Sequence, residues 1–314
     1  MTKSLCYLTV CALLITLSGA AALAAPADDS SQPAPAGILS TILQEIGTSS
    51  ADPASGGDGS YSWFKTVDHS QEEQPHWMTP VVTVTPRLEE EYRYDQVGQI
   101  RPGNADLTNY GNTKGIELIP LEHVEVILGV PGYETLTSPG GTKTGWADDT
   151  FLVKYRIMSN NEENGNDILT AFLGVQVPTG SPAFTDSYTI YTPTIAGGKG
   201  WGTRAEGFDI QSTLGYSIPG SNEKSIGEQL IWNTAFQAHV FSEHIWPELE
   251  LNYTHFHDGD HDGKNQLFYT LGFVAGRFPI SGRVRLALGA GYQQALTAFR
   301  MYNHAFVLTL RAPF

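Results

Sequence analysis

From Pro80 to the last residue the chain alternates apolar and polar positions with a period of two, in runs parted by Gly, Pro, Asn and Asp. The spacing predicts twelve strands, over 81–95, 112–120, 122–131, 147–158, 167–178, 189–200, 206–218, 228–241, 245–257, 265–278, 282–294 and 302–314. Helical periodicity is nearly absent across this region. The connections alternate in length. "ALTAFRM", "HDGDHDGK", "PGSNEKSIGE", "TGSPAFTDS", "GYETLTSPGGTKTG" and "QVGQIRPGNADLTNYG" make a long set, and "PISG", "SEH", "TRAE", "SNNEENGN" and "PLEH" a short one. An even strand count with long loops at one end and short turns at the other predicts an all-β fold, a transmembrane antiparallel up-and-down barrel. A β-sandwich would not segregate loop length in this way.

The two faces of the strands differ. One is apolar and favours aromatics near strand ends, as in Tyr92, Phe151, Phe208, Tyr216, Phe273, Tyr292 and Phe306, with Val82, Val84 and Leu88 on the first run. It is predicted to meet lipid. The other carries Arg87, Glu89, Glu91, Arg93, Glu117, Glu125, Lys154, Arg156, Asp209, Glu248, Glu250, Arg283, Arg285 and Arg311. These fourteen are the candidate lumen-lining residues, and their balanced signs predict ion pairs across the lumen. Lipid leaves no water for an open sheet edge, so the last strand, ending on Phe314, is predicted to pair with the first.

The front of the chain is different material. Lys3, an apolar run from Leu5 to Leu17 and the small residues Ala22-Leu23-Ala24 predict a secretory signal peptide over 1–24. Both cysteines, Cys6 and Cys11, fall inside it. Residues 25–79 are rich in Pro, Ser, Gly and Asp and are expected to be largely disordered. The stretch "GILSTILQEIG" within them predicts one short amphipathic helix, at 36–47, that docks at the periplasmic mouth of a barrel over 80–314. The net charge of −15 argues against a nucleic-acid partner.

Candidate chemistry is thin. Asp258, Asp260 and Asp262 in "HFHDGDHDGK" open like a calcium loop, but Tyr269 stands where the closing Glu belongs. His255, His257 and His261 offer imidazoles to a softer metal, and the plain alternative is a solvated hairpin loop. The glycine runs "GGTKTG" and "GGKGWGTRAEG" lack a phosphate-loop ending and read as points of strand curvature. An outer-membrane lipid hydrolase would need a nucleophile beside His123, His239 or His255, and no nucleophile elbow is present. Neither enzymatic activity nor a cofactor is expected.

The stretches "TGWADDTFLVKYRI" and "ILTAFLGVQVPTGSP", preceded by "TKGIELIPLEHVEVILGVPGY", resemble the outer-membrane transporter family labelled for the MetA pathway of phenol degradation. The resemblance spans about 110–314 and departs at Trp146-Ala147-Asp148-Asp149, where a glycine is usual. It implies passive, channel-type uptake of small molecules, hydrophobic or aromatic ones among them, in the outer membrane of a Gram-negative bacterium. The alternative is a structural or interaction barrel with a blocked lumen. The expected partners are outer-membrane lipid, a small solute and the barrel assembly machinery, whose C-terminal recognition signal the terminal Phe314 resembles.

Overall fold

The computed structural model describes residues 59–112, 114–221, 225–239 and 244–314, with side chains from residue 63. The leader and the 36–47 stretch lie outside the described residues. One antiparallel sheet holds β1 (Glu91–Arg101), β2 (Ala105–Gly111), β3 (Gly115–Leu121), β4 (Val124–Gly129), β5 (Tyr133–Ser138) and β6 (Gly141–Trp146). It continues through β7 (Asp149–Asn160), β8 (Asp167–Val177), β9 (Ile190–Gly202), β10 (Gly207–Pro219) and β11 (Gln229–Ala238). The last are β12 (Ile245–Phe256), β13 (Asn265–Ser281), β14 (Val284–Ala295) and β15 (His304–Pro313).

The sheet closes. β15 pairs with β1 from Glu91 opposite Pro313 to Ile100 opposite His304, and the Phe314 N–H adds a bond to the Glu90 carbonyl at 3.0 Å. Six of the strands are halves of three bent staves, β2 with β3, β4 with β5 and β6 with β7. Their breaks lie side by side, because Val130 N–H donates to the Lys114 carbonyl and Ala147 N–H to that of Gly132. Counted as staves, the barrel has twelve. Two of the connections predicted as long loops are therefore sheet: the β1–β2 hairpin and the projecting β5–β6 hairpin. The short turns at 122–123, 161–166, 203–206 and 282–283 share the other end with His239, His244 and the C-terminus.

The outer surface is apolar. Leu271, Phe306 and Leu308 are each more than half exposed, and Leu214, Leu249, Leu251, Phe273, Leu288 and Leu310 join them. A contiguous apolar surface of this extent needs an apolar solvent. Aromatic pairs stand at the two ends: Trp201 stacked on Phe208 near the short turns, and Tyr133 edge-on to Trp146 near the long loops. The molecule is a membrane barrel.

The first predicted strand needs correction. β1 starts at Glu91, and Val81–Glu90 is not in the sheet. Their apolar and polar residues alternate, so the sequence period matches that of a strand. Pro86 deprives them of a ladder donor, and they run inside the barrel. Val82, Val84 and Leu88 accordingly do not face lipid. Ahead of them a helix, α1 (Gly59–Glu72), lies across the short-turn end. Its inner stripe is Trp63, Val67 and Ser70, and only two of these are apolar, so composition alone reads the segment as linker. Val67 packs with Leu88 and Ile119. Ser70 donates to the Glu122 carbonyl at 2.7 Å, and Asp68 grips Arg283.

Candidate functional site: the lumen and its plug

Residues 73–90 enter the lumen, cross it and return to the wall at β1. The loop is closed on itself by Gln74, whose amide donates to the Leu88 carbonyl at 2.7 Å and accepts from the Leu88 N–H at 2.9 Å. A buried backbone with no neighbouring strand must find other partners. Here the charged wall supplies them. Glu248 accepts from the Val81 N–H, and the two oxygens of Glu250 accept from Val82 and Thr83 at 2.7 and 2.6 Å. Arg311 donates to the carbonyls of Thr79 and Pro80, and Arg93 to that of Val81. Farther along, Thr170 donates to the Pro86 carbonyl, Lys154 to that of Arg87, and the Glu89 N–H to Glu125. Carboxylates on one side and guanidinium groups on the other take the place of a β-ladder.

The plug also has an apolar clasp. Trp77, Met78 and Val81 pack against lumen-facing Ile168, Trp246, Val274 and Val307. The Trp77 indole lies in a slot in β9 and donates to Asn166 at 2.9 Å. A Cβ at Gly198 would stand 2.5 Å from the indole, and one at Gly200 2.6 Å from its nitrogen. The "GGKG" glycines, expected to ease curvature, make room for a side chain.

Of the fourteen candidate lumen residues, ten lie on strands, face inward and are buried: Glu91, Arg93, Glu117, Glu125, Lys154, Arg156, Asp209, Glu248, Glu250 and Arg311. Arg87 and Glu89 belong to the plug and pair with each other at 2.7 Å. Arg283 and Arg285 are exposed at the mouth, Arg283 against Asp68 at 2.5 Å. Ion pairs predicted to span the lumen instead join wall neighbours, Lys154 with Glu125 at 2.9 Å and Arg93 with Asp95 at 2.8 Å. What spans the lumen is the plug.

Strand parity misses Arg277, which alternation places outside. A bulge in β13 with a positive φ of 59° at Arg277 turns it inward, and it donates to the carbonyls of His76 and Trp77, both at 2.6 Å. His76 in turn anchors the plug to the β7–β8 turn, its ring nitrogen 2.8 Å and its N–H 2.6 Å from Glu162. Burial opposes ionisation of Glu162, but these bonds outweigh it and lower its pKa to about 2.

Beside the plug, at the short-turn mouth, a cavity of about 550 Å³ is lined by Arg204, Arg277, Arg285, Arg311, Trp246 and Phe314 among others. The candidate metal loop shows a different picture. Asp258 accepts from the Glu228 N–H, and Asp258, Asp260 and Asp262 are exposed on a short 3₁₀ turn. Potential ligand atoms converge instead at His69, Glu73 and Glu122, although Glu73 also faces Arg156 at 3.6 Å. The histidines weighed for hydrolysis face other groups: His123 faces Arg156, His239 the Thr203 carbonyl, and His255 the Asn265 amide.

Closed barrel, apolar exterior and polar, occupied lumen define a plugged membrane β-barrel. Residues 91–306 match the family described as "Putative MetA-pathway of phenol degradation", and the chain belongs to that family. Among solved structures, the NanC porin is 12% identical, with 70% of this chain and 98% of that one covered and a TM-score of 0.44. An outer membrane channel from Pseudomonas putida F1 is 13% identical, with coverages of 71% and 92% and a TM-score of 0.47. The KdgM porin is 10% identical, with coverages of 71% and 99% and a TM-score of 0.41. No curated protein matches the sequence.

Proposed function

We propose that this protein is an outer-membrane channel for passive uptake of small molecules, aromatic and other hydrophobic compounds included, closed by residues 73–90. The outer-membrane setting draws on the apolar exterior, the short turns gathered at one end and the leader read at 1–24. The solute class draws on the family description. The observation that carries the channel reading is how the plug is held. Most of its polar contacts with the wall run to side chains, and water can replace each of them. Removing a strand would break a whole ladder. Withdrawing this plug exchanges a set of charge-assisted bonds for hydration and leaves the wall intact.

Conductance of the purified full-length protein in a planar bilayer tests the proposal. Glu250→Ala removes the acceptor of two plug N–H groups, at about 1–3 kcal/mol for each group left unsatisfied. The variant is expected to keep the heat-modifiable mobility of a folded barrel and to open more often than wild type. If neither protein conducts in any salt or voltage, the blocked barrel that acts through its long loops becomes the better reading. The plug itself is what favours that second reading.

A further inference from the structure

We propose that the cavity at the short-turn mouth is a binding site for small organic anions, carboxylates with a planar apolar body in particular. An acidic chain, net −15 with 18 Lys and Arg in all, gathers six arginines around this one space: Arg87, Arg204, Arg277, Arg283, Arg285 and Arg311. Two are neutralised, Arg87 by Glu89 and Arg283 by Asp68. Arg277 and Arg311 donate to plug carbonyls, which satisfy hydrogen bonds without cancelling charge. The side chains of Arg204 and Arg285 have no hydrogen-bond or ion-pair partner among the described residues, and both are exposed. Against these four guanidinium groups stand the carboxylates of Glu72 and Glu91 and the terminal carboxylate of Phe314, so the cavity is left with a positive excess of one.

Its size is that of a small-molecule site, commonly about 300–1,000 Å³. The guanidinium fork matches a carboxylate in two parallel bonds. Pro313 and Phe314, both half-buried, offer an apolar edge that an organic body can cover and that inorganic phosphate cannot use. The cavity opens at the mouth, so an anion reaches it without first moving the plug. Once seated, it competes with the plug carbonyls for Arg277 and Arg311, which links occupancy of the site to release of the plug. The inference deepens the channel reading, and rests on it only for the step from binding to transport.

Equilibrium binding to the full-length protein in detergent, by calorimetry, separates the two. The probes are benzoate, neutral benzamide and inorganic phosphate. Benzoate is expected to bind at least about tenfold more tightly than either of the others. Arg204→Gln with Arg285→Gln should weaken benzoate about tenfold or more, since a charge-assisted bond is worth that much. Arg204→Lys with Arg285→Lys, which keeps the charge and loses the fork, should recover part of the loss. These two side chains hold no plug atom, so both variants should keep the heat-modifiable fold. Benzamide or phosphate binding as tightly as benzoate would overturn the proposal, and so would unchanged benzoate affinity in the Gln pair. No voltage or current enters this measurement, so a protein that binds but does not conduct would count against the channel alone.

Discussion

At Gly198 and Gly200 the lack of a side chain is a packing requirement set by Trp77, far away in the chain. The glycines were legible in the sequence, but their reason was not, because nothing local says which ring will lie over them. The lumen charges were legible in the same partial way. Alternation on β12 puts Glu248 and Glu250 on one face, yet their partners are backbone N–H groups of Val81, Val82 and Thr83, which no charge pattern reveals. Balanced signs thus reflect the donors and acceptors of a peptide backbone more than pairs of side chains. Gly198→Val should deny Trp77 its slot. Expected are a red-shifted tryptophan emission and greater conductance from a barrel that still shows heat-modifiable mobility. An unshifted spectrum would mean that the indole has another place to go.

Elements were read best where a strand has strands on both sides. β8 to β15 fall within a few residues of the predicted spans, because each buries a polar face in the lumen and shows an apolar one to lipid. The errors lie where an alternating segment or a helix is held by groups other than its own kind. Val81–Glu90 reads as a strand and is plug, and α1 reads as linker because Ser70, on its inner stripe, anchors it through a polar atom. Arg277 needed a bulge that sequence does not announce. The anchor between His76 and Glu162 makes a test at this scale. Glu162 has a folded pKa of about 2, below its ordinary 4.5, so its ionised form is the one the fold favours. That contribution is complete above about pH 4.5 and is lost as the pH falls toward 2. Conductance of the wild type should therefore rise between pH 5 and pH 3 by more than that of Glu162→Gln, which has no carboxylate to titrate. Identical pH profiles would remove Glu162 as an anchor.

For the whole molecule, closure and polarity of the barrel follow from features visible along the chain: twelve alternating staves, segregated turns and a last strand that needs the first as its partner. The contents of the lumen do not follow, since twelve staves enclose a space between one filled by side chains and one open to water. The chain fills it with its own residues 73–90. In the channel reading that segment is the gate, and a reversible tether tests this most directly. A Cβ at Gly291 would lie 3.4 Å from Val81 Cγ1, close to the separation a disulfide needs, with the Thr270 methyl yielding slightly. Since the native cysteines Cys6 and Cys11 fall within the leader read at 1–24, Val81→Cys and Gly291→Cys can lock the plug to β14 without competing thiols. The measurement is single-channel current of this pair before and after reduction, with disulfide formation checked by loss of thiol labelling. Expected are silence in the oxidised protein and current restored by dithiothreitol; equal current in both states would show that residues 73–90 are not the gate.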